Sequence, residues 1–198
     1  MRSITYWHPF IYSALLKLSY KGGYRKRYEA VSSFIKEGSS VVDVCCGDCR
    51  IYDYLKNKRV NYTGLDFNTC FVNWANNRGI PARQFNIYND EIPRSDYVLM
   101  MGSLYQFFPR HGEVLEKLFK AASKYIVISE PVKNNAQSNS KTISFISKIL
   151  NDPGDGIKSF RFDIDTFKNS CAPFRAYIVK ELFVVKGIEY VVMLKKQH

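Results

Sequence analysis

Val41-Val42-Asp43-Val44-Cys45-Cys46-Gly47-Asp48-Cys49-Arg50 is the stretch that decides how this chain is read. Ser40 to Val44 is a short β-branched run without helical period, and Arg50 to Lys56 is amphipathic, so the quoted residues leave a strand and enter a helix through a turn of small side chains. Small residues let backbone approach a ligand closely. Ligands of open α/β sheets bind at the carboxyl ends of strands, where the winding direction switches. Asp66 closes the next strand, Tyr62 to Leu65, and stands about 20 residues beyond the turn, a separation at which an acid accepts hydrogen bonds from both ribose hydroxyls.

Outward from this turn the pattern alternates. Pro9 to Ser19 reads as a helix, Gly22-Gly23 breaks it, and a second helix runs from Tyr24 to about Lys36, with Tyr24, Tyr28, Val31 and Ile35 on one face and Gly38 as its stop. Asn68 is an N-cap for a helix through Asn77, which Gly79 ends. Ala82 to Phe85, Tyr97 to Met101 and Tyr125 to Glu130 read as strands, with a helix from Gly112 to Ala122 whose Val114, Leu115, Leu118 and Phe119 face inward. Strands alternating with helices give a parallel sheet with right-handed crossovers. Residues 132–160 form an excursion rich in Asn, Ser and Lys at its start, with a helix from Thr142 to Leu150. Asp163 to Asn169 is a last helix, and Arg175 to Val185 and Glu189 to Leu194 form a hairpin around Lys186-Gly187.

The chain resembles the class I S-adenosylmethionine-dependent methyltransferases over most of its length. Val41 to Arg50 is similar to that family's first motif, Tyr62-Thr-Gly-Leu-Asp66 to its ribose-binding second strand, and Asp96 to Gln106 to its fourth strand and following loop. Tyr125-Ile-Val-Ile-Ser-Glu130-Pro131 resembles the fifth strand, and the closing hairpin the reversed seventh. The resemblance implies a Rossmann-like α/β fold: a mostly parallel seven-stranded sheet, helices on both faces and a C-terminal antiparallel hairpin. It implies S-adenosyl-L-methionine as cofactor and S-adenosyl-L-homocysteine as product. Asp43 and Gly47 would hold the methionine end, Asp66 the ribose, and Asn86 and Ile87 the adenine, with Cys45 and Phe67 also among the cofactor-binding residues. Met101, Gly102 and Ser103 would line the site beneath the sulfonium. The family turn usually carries three glycines, whereas Cys45 and Cys49 take its outer positions here, so either the backbone is ordinary there or the turn is strained.

The same residues permit other readings. Cys46-Gly-Asp-Cys49 has the spacing of a thioredoxin-like redox centre, which the flanking Asp43 and Asp48 oppose. A structural zinc site wants four ligands, and no second Cys/His pair exists, so no metal is expected. A nicotinamide-dependent dehydrogenase shares the first strand, turn and ribose acid, but the hairpin and the lack of a second substrate domain argue against it. A cofactor-binding scaffold without catalysis is a further alternative.

At 198 residues with 46% hydrophobic content the chain suits one domain. Residues 1–37 would be a helical lid bearing Tyr6, Trp7, Phe10, Tyr12, Tyr20 and Tyr24, rings able to pack together or to face a cation. Apolar runs are too short to span a membrane, and five cysteines without a spaced framework fit a reducing cytoplasm. Displacement at a sulfonium makes a base optional, with His8, Tyr105 and Glu130 as candidates; His111 reads as a helix start in solvent. A closed pocket favours a small-molecule acceptor. The formal charge of +11, with Lys17, Lys21, Arg25, Lys26 and Arg27 in one run, makes RNA the alternative partner.

Overall fold

Near-continuous apolar runs along the central strands require cover on both faces of a sheet, and the computed structural model, which describes residues 9–20, 22–132 and 160–197, supplies it. Seven strands run β1 (Ser40–Val44), β2 (Asn61–Asp66), β3 (Ala82–Gln84), β4 (Ser95–Met101), β5 (Ala122–Pro131), β6 (Ile178–Val184) and β7 (Glu189–Lys195). Their order in the sheet is β3-β2-β1-β4-β5-β7-β6. The first five pair in parallel, and β7 is inserted antiparallel between β5 and β6. The order reverses between β1 and β4, which puts the switch point at the carboxyl end of β1. This is the expected Rossmann-like architecture with its C-terminal antiparallel hairpin.

The helices divide by the face of the sheet they cover. α1 (Pro9–Ser19), α2 (Tyr24–Phe34), α3 (Tyr52–Leu55) and α4 (Thr69–Asn76) lie on one side, where Tyr24, Tyr28, Val31 and Leu55 meet Val41, Leu99, Val127 and Val191. α5 (His111–Ala121) and α6 (Ile164–Cys171) close the other side, with Val114, Leu118 and Phe167 against Val98, Ile126 and Val192. Local chemistry sets the ends as read from the sequence. Asn68 caps α4 by accepting from the Cys70 amide, and Gly79 turns left-handed beyond it (φ 70°).

Several readings differ from the expectation, among them β5, which starts at Ala122 rather than Tyr125. α2 stops at Phe34, two residues early, because Ile35 is already extended (ψ 124°). Arg175 to Tyr177 is not strand: the helical turn Ala172–Tyr177 takes it, with Pro173 in its first turn where the missing amide costs nothing. His111 does start α5, yet it is not in free solvent, since its Nε2 lies 3.0 Å from Ser170 Oγ and its ring stacks on Phe108. The helix expected from Thr142 to Leu150 lies outside the described residues.

Candidate functional site

The turn after β1 is built by three left-handed residues in alternation: Cys45 (φ 58°), Gly47 (φ 53°) and Cys49 (φ 50°). Of the two alternatives for the cysteines, the strained one holds, at about 1–2 kcal/mol for each L-residue in this region. The backbone therefore keeps the shape a three-glycine turn would have. The amide of Gly47 donates to Asp66 Oδ2 at 2.8 Å, and the amide of Asn68 to Asp66 Oδ1 at 2.8 Å, so the carboxylate at the end of β2 faces the middle of the turn.

The cysteine side chains split between the two faces of the sheet. Cys45 packs with the α5 side, and Cys46 and Cys49 with the α2 side. The Cys49 thiol donates to Cys46 Sγ at 3.3 Å, and a Cβ on Gly64 of β2 would stand 2.9 Å from each sulfur. Gly64→Ala is accordingly expected to lower the unfolding free energy by about 1–3 kcal/mol in chemical denaturation. An unchanged midpoint would mean that the sulfurs swing aside freely.

Arg27, Asp43, Cys45, Cys46, Asp48 and Met101 line a cavity against this turn. Asp43 is buried and accepts from Tyr62 Oη at 2.9 Å. Desolvation raises Asp43, Asp48 and Asp66 above the usual carboxylate range, Asp43 to about 7. Glu130, fully enclosed, is pushed to about 8 by burial even though its Oε1 accepts the amides of Ser103 and Leu104 at 2.7 and 2.6 Å.

Raised carboxylates hold protons in the native state that the unfolded chain releases near pH 4, so the protein loses stability as pH climbs from about 4 to about 8. Calorimetric unfolding at pH 5.5 and 8.5 should show a midpoint at least ~5 °C lower at the higher pH, and Asp43→Asn should flatten the profile. A basic chain shedding positive self-repulsion as pH rises would trend the other way.

The remaining expected site residues fall around the same carboxyl edge of the sheet. Met101 closes β4, and Gly102 (φ 68°) follows it, where a Cβ would meet the Arg27 guanidinium at 3.0 Å. Phe67 is exposed beside Asp66. Ile87 is buried, and its carbonyl accepts from Lys117 Nζ of α5 at 2.6 Å. Asn86 Oδ1 already accepts the Tyr88 amide at 3.0 Å, and the Asn86 amide donates to Asp90 Oδ2 at 2.7 Å. Among the base candidates, Glu130 anchors the loop after β4. Tyr105 is buried under the Arg161 guanidinium, 3.9 Å from the ring centre, with its hydroxyl pushed upward by burial. His8, with Tyr6 and Trp7, lies outside the described residues.

Arg27, Asp48 and Arg50 were not singled out from the sequence as site residues. Arg27 is 3% exposed, pairs with Glu189 of β7 at 2.9 Å, and lies over the rings of Tyr20 and Tyr28 at 5.0 and 5.2 Å. This takes it out of the run of surface bases and makes it the cation that Tyr20 faces. Its spacing was a readable signal, since position 27 shares a helix face with Tyr24, Tyr28 and Val31. Ser13 of α1 donates to buried Asp48, and Arg50 Nε stands 3.7 Å from the same carboxylate, so α1 is tied directly to the turn.

The chemistry of this lining suits an adenosyl sulfonium: clustered carboxylates for its positive charges, a guanidinium for its carboxylate, and a backbone bend opposite an acid for its ribose. Within that frame, residues 25–133 match the family described as methionine biosynthesis protein MetW. No protein of curated function matches the sequence. Among solved structures, magnesium protoporphyrin IX methyltransferase from Synechocystis with bound S-adenosylhomocysteine superposes with a TM-score of 0.70 at 12% identity, covering 91% of this chain and 87% of its own. A TehB-like methyltransferase from Corynebacterium glutamicum gives 0.58 at 15% identity, with 86% of each chain covered. The 16S ribosomal RNA methyltransferase RmtF gives 0.58 at 19%, covering 90% of this chain and 64% of that one. The chain thus belongs to the MetW family and has the fold of the class I S-adenosylmethionine-dependent methyltransferases.

Proposed function

We propose that this protein binds S-adenosyl-L-methionine at the turn after β1 and transfers its methyl group to a small-molecule acceptor. The observation that carries the reading is the left-handed Cys45-Gly47-Cys49 turn held opposite the Asp66 carboxylate. When bound, the cofactor supplies a methyl group activated on a sulfonium and leaves as S-adenosyl-L-homocysteine. Asp66 accepts from the ribose hydroxyls with the lone pairs that Gly47 and Asn68 leave open. Asp43, Cys45 and Gly47 receive the methionine end, Phe67 covers the ribose side, and Ile87 packs on the adenine with Asn86 at its edge. Met101, Gly102 and Ser103 floor the site.

The protein's work is alignment and exclusion of water rather than proton removal. Glu130 and Tyr105 fit this, because both hold their protons at neutral pH and one of them fixes the loop after β4. α1, latched to Asp48 through Ser13, serves as the described part of a lid over the cofactor, and residues 133–159, expected on the acceptor side, lie outside the described residues.

An RNA acceptor is the second reading, supported by the formal charge of +11. The basic N-terminal run is weaker support than its sequence suggests, since Arg27 is buried and Arg25 stands 4.0 Å from Glu29. Binding to a short RNA that falls steeply with salt would favour this reading, and none at low salt would dismiss it.

Calorimetric titration with S-adenosyl-L-methionine tests the central claim. Micromolar binding by the native chain and none by Gly47→Arg is the expected result, followed by release of S-adenosyl-L-homocysteine when candidate acceptors are screened. Equal binding by both proteins would move the site elsewhere, and binding without turnover on any acceptor would favour the scaffold alternative.

A further inference from the structure

We propose that Cys46 and Cys49 form a reversible intramolecular disulfide that switches off cofactor binding, an inference that rests on the cofactor reading above. The two sulfurs are 3.3 Å apart with Cys49 donating, and the Cys49 amide also donates to the Cys46 carbonyl at 2.9 Å, so the pair already spans one closed turn. Access is unequal: Cys46 is half-buried and lines the cavity, whereas Cys49 is 1% exposed. Cys46 is the residue an oxidant reaches first, and Cys49 is the partner waiting behind it.

The co-reactant is hydrogen peroxide. The Cys46 thiolate attacks the peroxide, the O–O bond breaks, and hydroxide leaves to take up the thiol proton as water, giving a sulfenic acid on Cys46. Cys49 sulfur then attacks Cys46 sulfur, the S–O bond breaks, and the departing hydroxide leaves with the Cys49 proton as a second water. In sum, two thiols and one peroxide become one disulfide and two waters. The Cys49 hydrogen bond and burial push the Cys46 thiol well up, so this oxidation quickens as the medium becomes more alkaline.

The link to binding is geometric. A disulfide needs its sulfurs about 2.05 Å apart. Closing the sulfurs from 3.3 Å draws positions 46 and 49 of the turn together, and that backbone carries the Gly47 amide held on Asp66 and the Cys46 amide held on the Leu65 carbonyl at 3.1 Å. Cofactor and disulfide then compete through the same turn. By reciprocity a bound cofactor disfavours the disulfide at equilibrium by the same factor as the disulfide weakens the cofactor.

The test treats the full chain with millimolar hydrogen peroxide at mildly alkaline pH, with and without saturating S-adenosyl-L-methionine. Peptide mass mapping follows, then titration of the reduced, oxidised and re-reduced protein. The expected result is loss of two hydrogen atoms mapped to a Cys46–Cys49 link, slower formation under cofactor, and binding at least about tenfold weaker that a dithiol restores. Cys46→Ser and Cys49→Ser should each lose this peroxide sensitivity, and the mapping on the native chain needs neither variant to fold. A link through Cys45, no link at all, or a Cys46–Cys49 link with unchanged affinity overturns the proposal. Failure of the reduced protein to bind the cofactor sinks the switch together with the cofactor reading, while the mapping still reports on the thiol pair alone.

Discussion

Glu189→Ala should cost about 3–5 kcal/mol of stability. The carboxylate is fully enclosed, faces the Arg27 guanidinium at 2.9 Å, and accepts the Ser129 hydroxyl. Removing it breaks the 2.9 Å ion pair of a guanidinium with 3% exposure. Against a total of about 5–15 kcal/mol, such a loss takes a large share of the stability. Urea unfolding of Glu189→Ala and of the double variant Arg27→Met with Glu189→Leu separates charge from packing. The pair of apolar residues should recover most of the loss, because two desolvated charges are then absent together rather than one alone. A single variant within about 1 kcal/mol of the native chain would mean that solvent reaches Arg27 after all.

Asp66→Ala should abolish cofactor binding while leaving the sheet intact. Two charge-assisted hydrogen bonds to ribose hydroxyls are worth roughly 1.5–3 kcal/mol each, which corresponds to at least about 100-fold in the dissociation constant. The substitution also frees the Gly47 and Asn68 amides, so the turn loses the group that holds its centre toward β2. Asp66→Asn separates these contributions, since its single carbonyl oxygen can keep one amide bond but not both. Retained far-ultraviolet circular dichroism with no calorimetric heat is the expected outcome for Asp66→Ala. Native-like binding by that variant would remove the acid at the end of β2 from the site.

Much of the fold was legible because its signals are local. The β-branched runs at Ser40 to Val44 and Tyr97 to Met101, the Asn68 cap and the Gly79 stop act within a few residues of themselves, and the strands and α4 form where those signals point. The turn and Asp66 were legible for the same reason, as small residues and an acid at fixed offsets. Arg175 to Tyr177 was misread because a β-prone composition there loses to a proline-started helical turn packed beside β7. Arg27 was misread as one of a run of surface bases. Its helical spacing pointed inward, but the partner that makes burial tolerable, Glu189, lies in a distant strand that no local pattern connects to it. Glu130 was legible as a base candidate, whereas its hold on the loop after β4, through the Ser103 and Leu104 amides, required the sheet to be assembled.

The insertion of β7 between β5 and β6 has a consequence for biosynthesis. As the polypeptide leaves the ribosome, α2 and the parallel strands emerge first, and β5 must wait with one edge unzipped until residue 189 and its successors have been made. The nascent chain therefore passes through a long interval with a sticky flank, when chaperones have most reason to bind it. Hairpin docking then seals that edge in one late step.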